Sequence, residues 1–207
     1  MDYGLSHHCT GIAPLVSADE TAPAPTGFSP GYYLRLALNI VRWDDVAIRR
    51  ASRDPNATYY GAVFWGFAAV IIMIGTTFPV TLQAIRLQRP EILVSVAIAV
   101  ILGLVALALM TFVQLGLCHL IAKWFFAGKG NYLAVMRPLL LGWFVNCLIL
   151  IPVAGALASA ITWTAVLMIV FEEVEGIERL QAFGISAGIN VCFFFLQLLM
   201  TPARHHL

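Results

Sequence analysis

Residues 92–118, ILVSVAIAVILGLVALALMTFVQLGLC, form the segment that decides the fold class. The segment has no charged residue and is apolar around the whole circumference of a helix. A helix at the surface of a soluble protein keeps one polar face, whereas a helix surrounded by lipid does not need one. About 20 apolar residues are enough to cross a bilayer. The segment therefore predicts a membrane-spanning helix that is longer than the bilayer requires and must tilt or protrude.

The composition of the whole chain agrees with that prediction. Of its 207 residues, 60% are hydrophobic and 11% are charged, and the mean hydropathy is +0.87. A soluble domain of this size needs a more polar surface. The net charge of +1, without a dense run of Lys and Arg, gives no reason to expect a nucleic-acid partner. We predict an all-α, polytopic integral membrane helical bundle of about five transmembrane helices, preceded by an N-terminal amphipathic interfacial helix.

The predicted spans are the apolar stretches at 60–80, 92–118, 139–151, 156–171 and 183–200. The chain stays apolar from 138 to 171, which is too long for one straight span. Pro152 lacks a backbone donor and Gly155 permits a sharp reversal, so we predict two short helices in a tight hairpin. One long kinked helix is the alternative. Because the third span is short, the hairpin is also a candidate for partial, re-entrant insertion.

Gly184 and Gly188 in the last predicted span form a small-xxx-small pair. Such a pair lets two helix backbones approach each other closely. We expect the pair at a helix interface within the protein rather than at a dimer seam.

The amino-terminal residues divide into two parts. Residues 1–30 contain prolines and acidic residues, lack the features of a secretion signal, and are predicted to form a disordered cytosolic tail. Residues 31–54 have apolar side chains at helical spacing and arginines on the opposite side, which indicates an amphipathic helix. Asp44 interrupts the apolar face and predicts a break after Trp43 with a cap for a second short helix. We interpret the segment as an interfacial helix on the lipid headgroups, and packing on the protein's own cytosolic face is the alternative.

Basic residues near the ends of the spans indicate the orientation in the membrane. Lys and Arg concentrate on the side of the amino terminus in a five-span arrangement, and equally in a four-span arrangement. Because basic residues resist translocation, the amino terminus is predicted to be cytoplasmic. Charge does not distinguish between four and five spans. We expect a multi-pass protein of a bacterial inner membrane.

Polar side chains within the predicted spans are few and uncharged. They are Gln114, Asn146, Thr162, Asn190 and Gln197. We interpret them as interhelical hydrogen-bond partners, and a transport path is the alternative. The chain lacks the histidine and glutamate helix motif of metalloproteases and the glycine-flanked serine with a histidine of intramembrane serine proteases. We therefore expect no catalytic, metal or cofactor site, and no enzyme.

One acidic cluster lies at the end of the fourth predicted span. Its members are Glu172, Glu173, Glu175 and Glu178. Lys129 and Arg137 are predicted at the same membrane surface, so an ion-pair lock across the loops is one interpretation. A solvated acidic loop and a site for a cation or a partner are the alternatives.

Two stretches carry a resemblance to a known family. They are GKGNYLAVMRPLLLGWFVNCLILIPVAG at 128–155 and FEEVEGIERLQA at 171–182. The first is similar to the glycine-lysine-glycine loop and the proline-broken apolar hairpin of the Yip family. The second resembles the acidic-glycine loop of that family. An amphipathic helix that ends in Asp54-Pro55 is similar to the upstream part of bacterial-type members.

The resemblance implies a Yip-like transmembrane domain over 55–201 with five helices, a cytosolic amino terminus and no assigned catalysis. Its candidate structural or partner positions are Gly128, Lys129, Gly130, Arg137, Pro152, Gly155, Glu173 and Gly176. Two positions depart from the family pattern, since Glu175 stands where a histidine is frequent and Gln181 where a basic residue is frequent. Eukaryotic members interact with Rab-type GTPases, but their tyrosine-containing motifs are not evident here, so Rab binding is not expected.

Together these features favour a non-enzymatic multi-pass membrane protein that scaffolds partners or shapes the bilayer. The expected partners are the lipid bilayer and a second copy or another membrane protein. The alternative function is a small oligomeric transporter or channel with a polar path lined by Gln114, Asn146 and Asn190.

Overall fold

The structure is a computed structural model that describes residue 27 and residues 29–200, without the side chains of 194 and 196–200. Every regular element in this part of the chain is helical, which confirms the all-α part of the predicted fold class. Its α-helices are α1 Pro30–Val41, α2 Asp45–Arg53, α3 Asn56–Arg86, α4 Pro90–Phe126, α5 Tyr132–Gly142, α6 Gly155–Val170 and α7 Arg179–Met200. A 3₁₀ helix, Trp143–Leu150, extends α5, and a π-helical turn, Phe171–Glu175, extends α6. The predicted tail at 1–30 lies almost wholly outside the described residues.

Aspartate side chains cap the second and third helices. The Asp44 carboxylate accepts a hydrogen bond from the backbone N–H of Val46 at 2.9 Å, so the predicted break after Trp43 is confirmed. The Asp54 carboxylate accepts the backbone N–H of Asn56 at 2.9 Å at the start of α3. Both caps satisfy backbone donors that a helix start leaves unpaired.

Helix α1 packs against the bundle along one face. Tyr33, Ala37 and Ile40 are fully buried, and a side chain on Gly142 would approach the Ile40 Cγ2 atom to 3.0 Å. The opposite face of α1 is exposed. The amphipathic segment predicted at 31–54 is therefore two helices, and the protein itself covers the apolar face of the first.

Four helical stretches in the described part of the chain are long and apolar enough to cross a membrane. They are Asn56–Arg86, Pro90–Phe126, Tyr132–Leu150 and Gly155–Glu175. The first four predicted spans fall on these stretches in order, as expected of an integral membrane protein. The predicted fifth span, 183–200, falls on α7, whose last side chains lie outside the described residues. A fifth crossing stays a prediction.

The apolar run from 138 to 171 folds as two helices with a turn at 151–154, so the alternative of one long kinked helix is wrong. Any side chain at Gly155 would collide with the carbonyl oxygen of Leu148, which explains the glycine there. The helix that contains the predicted third span starts at Tyr132, seven residues before the predicted start of the span at 139. Its second part is the 3₁₀ helix, which rises about 2 Å per residue rather than about 1.5 Å.

The two helical hairpins differ in length. The 3₁₀ helix ends at Leu150, whose side chain lies against Gly75 of α3. Helix α3 continues beyond this point to Arg86, which adds about 16 Å at about 1.5 Å per residue. We call residues 76–102 the far tip. Within it only Ala84 is buried, and every other residue is exposed or half-buried.

Gly184 and Gly188 face away from the bundle. A Cβ atom added at either glycine would meet no described heavy atom within 4 Å. The expectation that this pair lies at a helix interface within the protein is therefore wrong. Helix α7 packs on α4 and α6 through its other face, where Ala182, Ile185 and Ile189 are buried.

Candidate functional site at the polar end of the bundle

Three segments that are distant in sequence meet at the end of the bundle opposite the far tip. Side chains join them directly, since Arg49 binds Glu173 and His119 binds Glu175. We call this region, formed by segments 42–58, 119–137 and 171–179, the polar end. It contains the acidic cluster and the glycine-lysine-glycine loop, so it is the candidate functional site of the described part of the chain.

Glu175 is fully buried at the polar end. Its Oε1 atom lies 2.5 Å from the Nδ1 atom of His119, and its Oε2 atom accepts the backbone N–H of Gly130 at 2.9 Å. Its main-chain carbonyl accepts the N–H of Lys129 at 2.8 Å. A buried carboxylate without such partners would be strongly destabilising. These contacts tie α4, the 127–131 loop and the π-helical turn together.

The glycines of the 127–131 loop make this contact possible. A Cβ atom at Gly128 would lie 2.6 Å from the Glu175 Oε2 atom, and one at Gly130 would lie 2.7 Å from the carbonyl oxygen of Val174. Both distances are too short for any side chain in a closely packed interior. The sequence predicts a glycine-rich turn here, and the structure adds that the glycines let the π-helical turn approach the loop backbone.

Two residues in the left-handed region close the adjoining helices. Ala127, at φ 51°, follows α4, and Gly176, at φ 68°, follows the π-helical turn. Glycine adopts this conformation without the steric cost of a Cβ atom. The N–H of Gly176 donates to the Glu172 carbonyl at 3.1 Å, so this predicted position has a structural role.

Two of the other acidic side chains pair with arginines that the sequence does not indicate, and Glu178 is exposed. Glu173 accepts a hydrogen bond from the Arg49 Nη1 atom at 2.5 Å, and Glu172 accepts one from the Arg179 Nε atom at 2.7 Å. The ion-pair lock therefore forms, but the predicted pairing with Lys129 is wrong, since its side chain is exposed and only its backbone binds Glu175. Helix α2 packs on the π-helical turn and thereby places Arg49 next to Glu173.

Arg137 makes a different contact from the predicted pairing with the acidic cluster. Its Nη1 atom donates to the Ser52 carbonyl at 2.7 Å, and its Nε atom donates to the Thr58 hydroxyl at 3.2 Å. The side chain is half-buried. Arg137 therefore joins α5 to the connection between α2 and α3, and the prediction that it belongs to an ion-pair lock is wrong.

The sequence does not predict the contact between α1 and the start of α3. The Tyr33 hydroxyl donates to the Asp54 Oδ2 atom at 2.6 Å, and the Tyr33 ring stacks on Tyr60 with the centroids 3.9 Å apart. Burial, followed by the hydrogen bond to the Asp54 carboxylate, raises the pKa of the Tyr33 phenol above its ordinary range. Tyr33 therefore stays a proton donor. In the sequence, the Asp54-Pro55 pair is the signal that marks the start of α3, where this contact forms.

The polar side chains inside the spans form two separate groups. The Gln114 Nε2 atom donates to Asn190 Oδ1 at 2.5 Å, and the Asn190 Nδ2 atom donates to Thr164 Oγ1 at 2.8 Å. Asn146 instead accepts a hydrogen bond from the Ser159 hydroxyl at 3.0 Å. The structure thus does not bring Gln114, Asn146 and Asn190 together on one path. Their contacts are those of interhelical hydrogen-bond partners.

A groove of about 500 Å³ opens between α6 and α7 on the outer surface. Thr164 and Asn190 are its polar lining residues, and they are bound to each other. The rest of the described lining is apolar, so the groove presents a hydrocarbon-like wall. The side chain of Gln197, a further predicted hydrogen-bond partner, lies outside the described part of α7.

Comparison of the chain with family models, with curated proteins and with solved structures finds no match. The resemblance to the Yip family therefore stays a prediction that rests on 128–155 and 171–182. Both stretches belong to the polar end and the shorter hairpin. Among the described residues, no three His, Cys, Asp or Glu side chains form a group that could hold a metal ion.

Proposed function

We propose that this chain is a non-enzymatic, multi-pass membrane protein of Yip type that shapes the bilayer around it and organises membrane partners there. The observation that supports this best is the unequal length of the two helical hairpins. The α3–α4 hairpin reaches Arg86, whereas the α5–α6 hairpin turns at 151–154, beyond a 3₁₀ helix whose end lies beside Gly75.

The difference in length is large relative to a membrane. A hydrocarbon core of about 30 Å is crossed by about 20 helical residues. Helix α3 has 31 residues and α4 has 37, so both exceed that thickness. The shorter hairpin turns about 16 Å before α3 ends. In this proposal the long hairpin is embedded along its whole length, so the bilayer becomes thinner beside the short hairpin or the short hairpin ends inside the bilayer.

The width of the molecule also changes along its length. Helices α1 and α2, the 127–131 loop and the π-helical turn all add to the polar end, whereas the far tip consists of α3 and α4. A molecule with this taper displaces more lipid area in one leaflet than in the other. Such an imbalance favours a curved bilayer with the polar end on the convex side.

In this proposal α7 is the fifth span, and the polar end and the amino terminus face the cytoplasm of a bacterial cell. The distribution of charge supports this orientation, because Arg86 and Arg89 are the basic residues of the far tip and the polar end has more. Helix α1 lies at the boundary between membrane and water, with its exposed face toward lipid.

The curvature of vesicles that contain the purified protein tests the proposal. The protein is reconstituted at rising protein-to-lipid ratios, and vesicle diameters are measured by electron cryomicroscopy. We expect the mean diameter to fall as the protein density rises. Unchanged diameters at high density, with the protein shown to be folded by circular dichroism, would overturn the proposal. Solute flux across vesicles of unchanged diameter would favour the transporter alternative.

The depth of the short hairpin can be measured separately. Val153→Cys and Gln88→Cys place single thiols at the turns of the short and the long hairpin in a cysteine-free background. The two sites are matched, because both side chains are exposed and both backbones have positive φ. A membrane-impermeant thiol reagent should label the long hairpin at 88 in intact cells and label position 153 weakly. Equal labelling would mean that the short hairpin emerges from the bilayer, and the length argument would fail.

A further inference from the structure

The outward face of α1 combines apolar and cationic side chains. Because Tyr33, Ala37 and Ile40 are buried on the inner face, the outward residues of α1 are determined by the helix geometry, and Arg42 and Trp43 follow directly after the end of the helix at Val41. We call Leu34, Arg35, Leu38, Arg42 and Trp43 the outer stripe. All five are exposed, and Leu34 and Trp43 are each 50% exposed.

The position of α1 places the outer stripe beside the spans. Ile40 of α1 and Val166 of α6 both lie against Gly142 of α5. Gly142 and Val166 belong to candidate spans. Tyr59 in the first turn of α3 and Trp124 in the last turn of α4 are 65% and 75% exposed. Exposed Tyr and Trp side chains collect at the boundary between the hydrocarbon core and the headgroups. The outer stripe therefore lies beside the spans, and a position at headgroup depth would let it continue the lipid-facing surface of the bundle.

The charges at the polar end complement an anionic surface. Five of its carboxylates have partners of their own, through the Arg49–Glu173, Arg179–Glu172, His119–Glu175 and Tyr33–Asp54 contacts and the Asp44 cap of α2. Arg35 and Arg42 are exposed and form no ion pair within the described residues. They lie two helical turns apart on one face of α1. Guanidinium groups in this position suit phosphate oxygens, which they bind with two parallel hydrogen bonds.

We propose that the outer stripe of α1 is a docking surface for anionic phospholipid headgroups. Leu34, Leu38 and Trp43 enter the acyl-chain boundary, and Arg35 and Arg42 each bind a headgroup phosphate. This inference rests on the proposed function, because it requires α1 to lie at the bilayer surface. It adds the partner, which is a patch of anionic lipid beside α5 and α6, the shorter hairpin.

The test compares two arginine pairs in the full chain. Arg35→Gln with Arg42→Gln removes charge from the outer stripe and leaves the buried face of α1 intact. Arg86→Gln with Arg89→Gln removes the same charge from the far tip, where both side chains are also exposed. Each protein is reconstituted in phosphatidylcholine vesicles that contain spin-labelled phosphatidylglycerol or spin-labelled phosphatidylcholine. The motionally restricted fraction of each label gives the relative association constant of the anionic lipid.

We expect the unmodified protein to prefer phosphatidylglycerol, and the outer-stripe pair to reduce that preference on the order of five-fold. Salt at about 0.5 M should reduce it in the unmodified protein as well. Arg35→Lys with Arg42→Lys should keep part of the preference, since the charge remains but the paired hydrogen bonds to each phosphate are lost, and this variant controls for folding. A preference that survives the outer-stripe substitutions, or falls equally with the far-tip pair, would overturn the proposal.

Two competitors separate the lipid from other anions. Inorganic phosphate and soluble polyglutamate should leave the lipid preference unchanged, because neither offers acyl chains to Leu34 and Leu38. Displacement of the lipid by phosphate would assign the arginines to a soluble anion, and displacement by polyglutamate would assign them to an acidic protein segment. Either result would overturn the lipid surface.

Vesicle diameters from the same samples distinguish the two proposals. A retained preference in the outer-stripe variant, with diameters that still fall with protein density, would overturn the lipid surface alone. Unchanged diameters, with a preference that depends on Arg35 and Arg42, would overturn the membrane-shaping function alone.

Discussion

The polar end and the far tip share the long helices α3 and α4 but are stabilised in different ways. At the polar end, Glu175 on the π-helical turn binds His119 on α4. At the far tip, Thr76, Thr81 and Ser95 bind carbonyl oxygens one turn earlier on their own helices. One region is defined by contacts between elements, and the other by local helix structure.

The difference follows from the surroundings of each region. At the polar end water competes for the hydrogen bonds that stay exposed, so a defined geometry needs buried partners with matched chemistry. A helix in lipid satisfies its own backbone and needs only an apolar surface. Substitutions should therefore be costly at the polar end and mild at the tips of the hairpins.

Glu175→Ala should have the largest effect. It leaves the His119 ring and the Gly130 N–H without their partner in a buried site, and breaking a buried pair costs about 3–5 kcal/mol. The free energy of unfolding in detergent micelles measures this loss. The exposed neighbour Glu178 provides the control, since Glu178→Ala should change that free energy by less than about 0.5 kcal/mol. Equal, small losses would mean that Glu175 does not hold the polar end together.

Substitution of glycines in α3 should have the next largest effect on stability. A Cβ atom at Gly61 would lie 2.8 Å from Leu140 Cβ, whereas one at Gly66 would meet nothing within 4 Å. Gly61→Ala should destabilise the protein by about 1–3 kcal/mol through overpacking. Gly66→Ala should be neutral or stabilising by up to about 1 kcal/mol, since alanine favours the helix. Thermal unfolding in the same detergent compares them, and changes of the same sign would contradict the close approach of α3 and α5.

Tyr33→Phe removes the hydrogen bond to Asp54 and should cost about 1.5 kcal/mol at pH 7. The folded phenol has a pKa raised above its ordinary value of 10.0, so the unfolded tyrosine ionises first as the pH rises. The unmodified protein therefore keeps this contribution below about pH 10 and loses it above, at up to about 1.4 kcal/mol per pH unit.

Unfolding free energies between pH 7 and pH 11 test this dependence. The difference between the unmodified protein and Tyr33→Phe should shrink above about pH 10. Tyr59, which is exposed, is the matched control, and Tyr59→Phe should show no such trend. A constant difference across the whole range would contradict the buried phenol at Tyr33.

Val153→Gly should have the smallest effect, in the stabilising direction. Val153 has φ 67° and is fully exposed, so the substitution relieves a strained β-branched residue and removes no packing. A gain of about 1 kcal/mol is expected. Gln88→Gly at the turn of the long hairpin should gain less, because glutamine is not branched at Cβ. A loss of stability at Val153→Gly would show that this side chain is anchored by its surroundings.

The features of the fold that depend on residues close together in the sequence were predictable. Hydropathy over 92–118 and the other apolar stretches placed four candidate spans, and Pro152 with Gly155 placed the turn between two of them. Asp44 indicated the start of α2 because a cap acts on the backbone two residues away. The start of α5 at Tyr132 was not predicted, because the apolar run that indicated the third span begins only at 138.

The candidate site was predictable in composition and not in its contacts. The glycine-lysine-glycine loop and the acidic cluster were both indicated, but the assigned partners Lys129 and Arg137 were wrong. Glu173 instead binds Arg49, 124 positions away. Gly184 and Gly188 show the same limit, because a pair of small residues does not reveal which face of a helix packs against the rest of the protein.

By itself the sequence determined that the chain is helical, where four membrane-length helices lie, that Asp44 caps α2, and that Pro152 with Gly155 marks a turn. Hydropathy, capping and proline effects act over one or two helical turns, so they can be read from adjacent residues. Only the tertiary structure decided that Glu175 is buried against His119, that the two hairpins differ in length, and which face of α1 remains exposed. Those features depend on how distant helices pack, and many different packings satisfy the same local pattern.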